Sequence, residues 1–230
     1  MEIRSRTVSE AWPKILRRIV DFGGVKYLPH HDQYVLELDE PIVVSMSHPT
    51  IDMIPRESGW NIQTLDLYAQ QFLIPTNDGF TYTYGERIFN QVEHAITKLS
   101  HDPTSRQSIA VAWIKDRDPY MNYPPCMIVM DFKIYDDKLT TTVYFRSNDM
   151  YMAWPQNVYG IIAVMKYVAM QLGIAVGRLT TISNAPHIYI SLLRDAMIAS
   201  GIMGRELDNR YNTIVNESYD GFKMPEGAVP

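Results

Sequence analysis

The sequence predicts an α+β fold in one domain spanning 1–230, and three observations point there. The chain is 230 residues long, 46% hydrophobic and 20% charged, enough to bury one sizeable core. Several stretches carry apolar residues at helical intervals. Between them lie β-branched or alternating runs of strand length, two of them separated only by Asp136-Asp137.

Thr7-Val8-Ser9-Glu10 has capping-box spacing, so a first helix starts there, buries Val8, Trp12, Ile15, Leu16 and Ile19, and stops at Gly23-Gly24. Residues 34–38 and 42–44 read as short strands around the Asp39-Glu40-Pro41 break. From 45 to 58 no period is visible, and His48, Asp52, Arg56 and Glu57 mark a polar loop of the kind that carries function. Leu65, Tyr68, Ala69 and Phe72 give one face of a helix over 62–73, ended by Pro75. A turn at Asn77-Asp78-Gly79 precedes a second amphipathic helix through Ile88, Val92, Ala95, Ile96 and Leu99, closed near Asp102-Pro103. Residues 108–114 read as a strand. MIVMDFKIY and KLTTTVYFRS form a hairpin, with Thr140, Thr142, Tyr144 and Arg146 on one face and Leu139, Thr141, Val143 and Phe145 on the other. Pro155 and Asn157 introduce a long helix that buries Ile161, Ile162, Met165, Val168, Ala169 and Leu172 and ends at Gly173. Residues 179–182 suggest another strand and 188–202 a last helix, whose Leu192, Leu193, Ala196 and Met197 face inward. The polar tail after Tyr211 is expected to be mobile.

Composition excludes some functions. With 21 basic and 26 acidic side chains, a formal charge of −5 removes the electrostatic basis for non-specific nucleic-acid binding. One cysteine rules out an intrachain disulfide framework and fits a reducing compartment. No apolar run reaches membrane-span length and no signal-type apolar core follows Arg6, so a soluble, cytoplasmic protein is expected.

The chemistry centres on Cys126, held at the end of Tyr123-Pro124-Pro125, where two prolines fix φ and keep each preceding residue extended. A lone cysteine is more often a small buried hydrophobe than a nucleophile, so its neighbours decide. Arg146-Ser147, at a strand end, sets a guanidinium beside a hydroxyl, which suits a phosphate oxygen and lowers the pKa of a nearby thiol. Alone, such an arginine is ordinarily just solvated. Asn157 offers a donor and an acceptor that match O4 and N3–H of uracil, although a helix N-cap is the commoner use of asparagine there. His187 and Tyr189 share one side of an extended segment, where a structural pair is the usual finding.

In the order TSRQSIAVAW, PPC, FRSNDMYMAWPQN and HIY, this set resembles the thymidylate synthase family over most of the chain from Trp60 to Tyr189. YTYGERIF, AWPQNVYG and the compact length are most similar to its archaeal branch. The resemblance implies a central mixed β-sheet flanked by helices, with one sheet face forming a homodimer interface. It implies that Cys126 adds to C6 of dUMP and makes C5 a nucleophile toward the one-carbon unit of a reduced pterin. That co-substrate would be 5,10-methylene-tetrahydrofolate or methylene-tetrahydromethanopterin, and no metal is implied. Arg146 and Ser147 match phosphate contacts, and Arg106 matches an arginine that reaches the phosphate in the partner subunit. Asn157 matches the base-reading amide, His187 and Tyr189 the ribose contacts, Asp149 the carboxylate on the pterin, and Tyr84 a tyrosine near the nucleophile. Glu57 matches the proton-relay glutamate through its Glu-x-x-Trp spacing to Trp60, with Glu40 a second candidate. Trp60 and Leu65 are assigned to the pterin site; Leu65 stands near where bacterial synthases have a tryptophan, with Tyr68 beside it.

The sequence also departs from the family. Gln107 follows Arg106 where a second arginine is usual, and only Gly23-Gly24-Val25-Lys26 matches a glycine-rich loop that carries a further phosphate arginine. Tyr219-Asp220 and Ala228-Val229-Pro230 resemble a closing C-terminal flap. The implied activity is methylation of dUMP to dTMP, with the reduced pterin giving the one-carbon unit and the hydride. An alternative is 5-hydroxymethylation of dUMP, UMP or CMP, in which water replaces hydride. A third, an inactive nucleotide-binding relative or an RNA-binding regulator, is opposed by the net charge and by the presence together of Cys126, Arg146 and Asn157.

Overall fold

The structure, a computed structural model, describes residues 1–51, 61–77 and 79–220. The first half of the chain forms β1 (Glu2–Ser5), α1 (Val8–Phe22), β2 (Gly24–Leu28), β3 (Gln33–Glu37), β4 (Ile42–Met46), α2 (Ile62–Leu73), α3 (Tyr84–His101) and β5 (Ile109–Val111). The second half forms β6 (Met127–Tyr135), β7 (Lys138–Phe145), β8 (Asn148–Asp149), α4 (Ala153–Leu172), β9 (Ala175–Ser183), β10 (Pro186–Tyr189), α5 (Leu193–Ala199) and α6 (Gly204–Asp220). A six-stranded sheet runs β1-β4-β9-β7-β6-β5, and a four-stranded sheet runs β2-β3-β10-β8. The larger sheet is mixed: β1 with β4 and β7 with β9 are parallel, the other pairs antiparallel. The fold is therefore the α+β class expected.

Local chemistry explains the elements. The Thr7 hydroxyl accepts the Glu10 N–H at 3.2 Å and so starts α1. The Glu10 carboxylate does not return to Thr7 but takes the Arg6 N–H at 2.9 Å, so the box is stretched by one residue. Trp12, Ile15, Leu16 and Ile19 are buried beneath this helix, each worth about 1.5–3 kcal/mol by transfer. Asp136 and Asp137 have φ of 48° and 54°, the left-handed pair that a two-residue hairpin turn demands. Leu139, Thr141, Val143 and Phe145 then point into the core, as alternation predicts. Gly173, at φ 68°, ends α4. Packing of α2 on α4 depends on Gly160, because a Cβ there would overlap the Phe72 ring.

Several boundaries need correction. The strand expected over 108–114 shrinks to β5, and that over 179–182 extends to β9. β1 and β2 had not been anticipated: β1 has one buried side chain, Ile3, and β2 begins at a glycine that reads as a breaker. The helix expected over 188–202 splits, because sheet pairing with β3 and β8 captures 186–189 before α5 begins. The tail expected to be mobile after Tyr211 is helical to Asp220. Its helix is tied to α1 by Arg210, which meets Asp21 at 2.7 Å, and to α5 by an Arg194–Asp208 pair at 2.9 Å. α6 is mostly polar, so the sequence read it as tail rather than helix. Among the described residues no helix is long and apolar enough to cross a membrane.

Candidate active site

The end of the β6–β7 hairpin holds Cys126. The backbone N–H of Arg146, just past β7, donates to the Cys126 carbonyl at 2.9 Å. The side chain then folds back, with Nε donating to the Pro125 carbonyl at 3.0 Å and Nη2 to the Pro124 carbonyl at 2.8 Å. Prolines stiffen the loop and Arg146 pins it. Both acceptors are neutral, so these bonds leave the guanidinium charge uncompensated. Burial pushes the half-buried Cys126 thiol up from its ordinary value; Arg146 pulls it down and Asp149 pushes it further up. The low thiol pKa expected from Arg146 is thus corrected: the arginine acts with the expected sign, but burial outweighs it.

Aromatic side chains line the helical side. Tyr84 opens α3, is buried, and accepts the Met127 N–H on its hydroxyl at 3.1 Å, one residue beyond the thiol. Tyr82 lies edge-on to it with ring centres 5.7 Å apart, and the Arg87 guanidinium sits 4.6 Å over the Tyr82 ring. From α2, the Tyr68 hydroxyl donates to Asn157 Oδ1 at 2.7 Å. Burial pushes the Tyr68 hydroxyl well above its usual value, so it remains a neutral donor. Asn157 is buried inside α4 and caps nothing, which removes the commoner N-cap use; the cap residue is Met152.

The smaller sheet supplies the opposite wall. Directly after Arg146 and the half-buried Ser147, the chain enters β8, where Asp149 pairs with His187 of β10. Asp149 Oδ1 accepts the N–H groups of Tyr151 and Met152 at 3.0 and 3.1 Å, holding the turn into α4 and leaving Oδ2 for another donor. Burial pushes this carboxyl up, against those N–H groups and His187. His187 Nδ1 lies 3.0 Å from the Ala185 carbonyl, which can only accept, so Nδ1 carries a hydrogen. The Tyr189 ring stands perpendicular to His187 with centres 5.3 Å apart. His31, which the sequence did not single out, lies 5.7 Å from the Tyr123 ring and 6.4 Å from the Tyr189 ring.

Other candidates lie elsewhere. Arg106 is exposed in the loop before β5, in a hollow shared with His94, Lys98 and His101 and with none of the residues around Cys126. Gln107 Oε1 accepts the Lys98 ammonium there at 3.0 Å. Glu40 is exposed and takes the N-terminal ammonium at 3.3 Å. The phosphate loop suggested by Gly23-Gly24-Val25-Lys26 is instead the start of β2, and Lys26 is held by Glu37 at 2.7 Å. Leu65 is buried in the first turn of α2. Glu57, Trp60 and the tail beyond Asp220 lie outside the described residues. Also unforeseen is the buried pair of Arg87 and Asp118, joined by bonds of 2.6 and 2.9 Å. The available signal was Arg87 itself, a charge placed on the apolar face between Tyr84 and Ile88.

Comparison with known proteins bears on the same residues. The family model described as thymidylate synthase matches residues 58–216. A protein of Methanosarcina barkeri named "Putative thymidylate synthase" is 40% identical over 194 residues, covering 81% of this chain and 88% of its own length. Its namesake from Methanosarcina mazei is 39% identical over the same span, with the same coverage. One from Methanocaldococcus jannaschii is 26% identical over 202 residues, covering 82% of this chain and 90% of its own.

Proposed function

The chain belongs to the thymidylate synthase family, and from that premise we propose that it methylates dUMP to dTMP. The observation that carries this is the Tyr68–Asn157 bond beside Cys126, because it orients a buried amide as a uracil reader. With Tyr68 donating to Oδ1, the second lone pair of that oxygen accepts N3–H and Nδ2 donates to O4. Cytosine reverses both demands.

Cys126 loses its proton and its sulfur bonds to C6, while the C5=C6 electron pair moves to the C4 carbonyl oxygen, where Asn157 Nδ2 stabilises the charge. Return of that pair makes C5 a carbon nucleophile. Arg146 favours the thiolate and, with Ser147, holds the phosphate; His187 and Tyr189 hold the ribose. The Tyr84 hydroxyl, which accepts from Met127 and is hydrogen-bonded to Tyr82, is assigned proton transfer near C5. Glu57 is assigned the proton relay. Asp149, half-buried and with Oδ2 unbonded among the described residues, fits the N–H groups of a pterin ring, and Leu65 and Trp60 are assigned to its apolar side. When bound, the reduced pterin, a folate or a methanopterin, supplies the one-carbon unit and the hydride. The protein works in the cytoplasm as a homodimer, in which Arg106 reaches the phosphate held by the other subunit.

Incubating the protein with dUMP tritiated at C5 and a methylene-tetrahydropterin tests this directly. Tritium release with a product heavier by one methyl group is expected, and Cys126→Ser abolishes it. A hydroxymethyl product would replace the synthase by a hydroxymethylase. Absence of release, or full activity in Cys126→Ser, would remove both.

A further inference from the structure

Resting on the nucleotide assignment above, we infer that His31 is a substrate-binding residue that donates an N–H from the tip of the β2–β3 hairpin to the 5′-phosphate. The tip is a built turn. His31 N–H donates to the Leu28 carbonyl at 3.1 Å and Asp32 N–H to the Pro29 carbonyl at 3.4 Å. Asp32 takes a left-handed φ of 50°, and its carboxylate accepts the Tyr27 hydroxyl at 2.5 Å. Tyr27 in turn packs on Tyr34 with ring centres 5.0 Å apart. This frame brings the exposed imidazole within ring-contact distance of two walls of the site. Tyr123 leads into the double-proline loop that Arg146 pins, and Tyr189 lies in the electrostatic field of both Cys126 and Asp149. Among the described residues no hydrogen bond occupies the ring nitrogens of His31.

The donors available for a phosphomonoester, which carries nearly two negative charges, make such a group consequential. Arg146 commits two of its N–H groups to proline carbonyls. Lys26 is neutralised by Glu37 at 2.7 Å, and Gln107 contributes no charge. An imidazole N–H at the rim is a further donor that this chain brings to the sugar–phosphate end, and it comes from a hairpin whose first strand the sequence did not reveal.

Equilibrium binding of dUMP and of deoxyuridine to the full chain provides the test, with His31→Ala, His31→Phe and His31→Arg compared to wild type. Loss of the donor should weaken dUMP about tenfold and leave deoxyuridine unchanged, in both the Ala and Phe variants. Arginine should restore the preference for the phosphorylated ligand. Unchanged dUMP affinity in His31→Ala overturns the inference, as does an equal loss for both ligands that His31→Phe rescues, since that marks ring packing alone. If wild type itself shows no preference for dUMP over deoxyuridine, the nucleotide assignment falls with it. If wild type shows the preference and the variants keep it, only the role of His31 falls.

Discussion

Two arginines in this molecule have opposite surroundings, and the contrast separates structural from functional charge. Arg87 is sealed in the interior, forked onto Asp118 with both side chains essentially inaccessible. It also donates to the Ala112 carbonyl at 2.7 Å and lies over Tyr82. A carboxylate cancels its charge, and what it contributes is geometry: it fixes the turn before β6 and the aromatic side chains against Tyr84. Arg146 makes two side-chain bonds, and their acceptors are the carbonyls of Pro124 and Pro125. Those bonds orient the guanidinium without cancelling it, so its field remains for a thiolate or a phosphate.

Breaking each arginine's arrangement should have a different signature, and the largest effect belongs to the buried pair. Asp118→Asn leaves Arg87 uncompensated and should cost about 3–5 kcal/mol in urea unfolding at neutral pH. Burial alone would raise the Asp118 carboxyl, but the Arg87 bonds and the Ile114 N–H hold it below its usual range. Its contribution is therefore fully present above the unfolded carboxylate pKa of about 4 and is lost as pH falls through the lower folded value, so the gap between wild type and variant should close in acid. A cost under about 1 kcal/mol, or a gap that widens in acid, would erase the distinction.

Arg146→Gln should show the reverse pattern, with little change in stability but a loss of dUMP affinity of about 10- to 100-fold. The same variant should move the pH midpoint of Cys126 alkylation above that of wild type, because the one nearby charge opposing burial is gone. A midpoint that stays or falls would show that Arg146 does not act on the thiol. The smallest effect is expected for Tyr68→Phe, which keeps the packing against Phe72 and removes the donor to Asn157. Discrimination between dUMP and dCMP should then fall by about tenfold, with the affinity for dUMP only mildly reduced. Unchanged discrimination would mean that Asn157 is oriented by something else.

The contrast also explains what could be read in the sequence. α2, α4 and the β6–β7 hairpin were legible because period, Pro75, Gly173 and Asp136-Asp137 all agree locally. β1 and the strand at 186–189 were not, since each owes its existence to a partner distant in sequence, as β10 does to β3; β2 pairs with the neighbouring β3 but begins at a glycine that reads as a breaker. Asn157 was assigned base reading by resemblance, but its hydrogen-bond partner Tyr68 lies 89 residues away. Asp118 and His31 carry no local signal at all. One is found only by asking what balances Arg87, the other only by seeing which rings meet across a hairpin tip.

The solitary thiol has one more consequence, for the oxidative life of the protein. With no second cysteine in the chain, an oxidised Cys126 cannot be rescued by an internal disulfide, so a sulfenic acid there must be reduced by an outside thiol or progress to irreversible forms. Oxidants attack thiolates, and burial shifts this sulfur toward the protonated thiol. The burial that holds this thiol's pKa up therefore also slows its oxidation by peroxide.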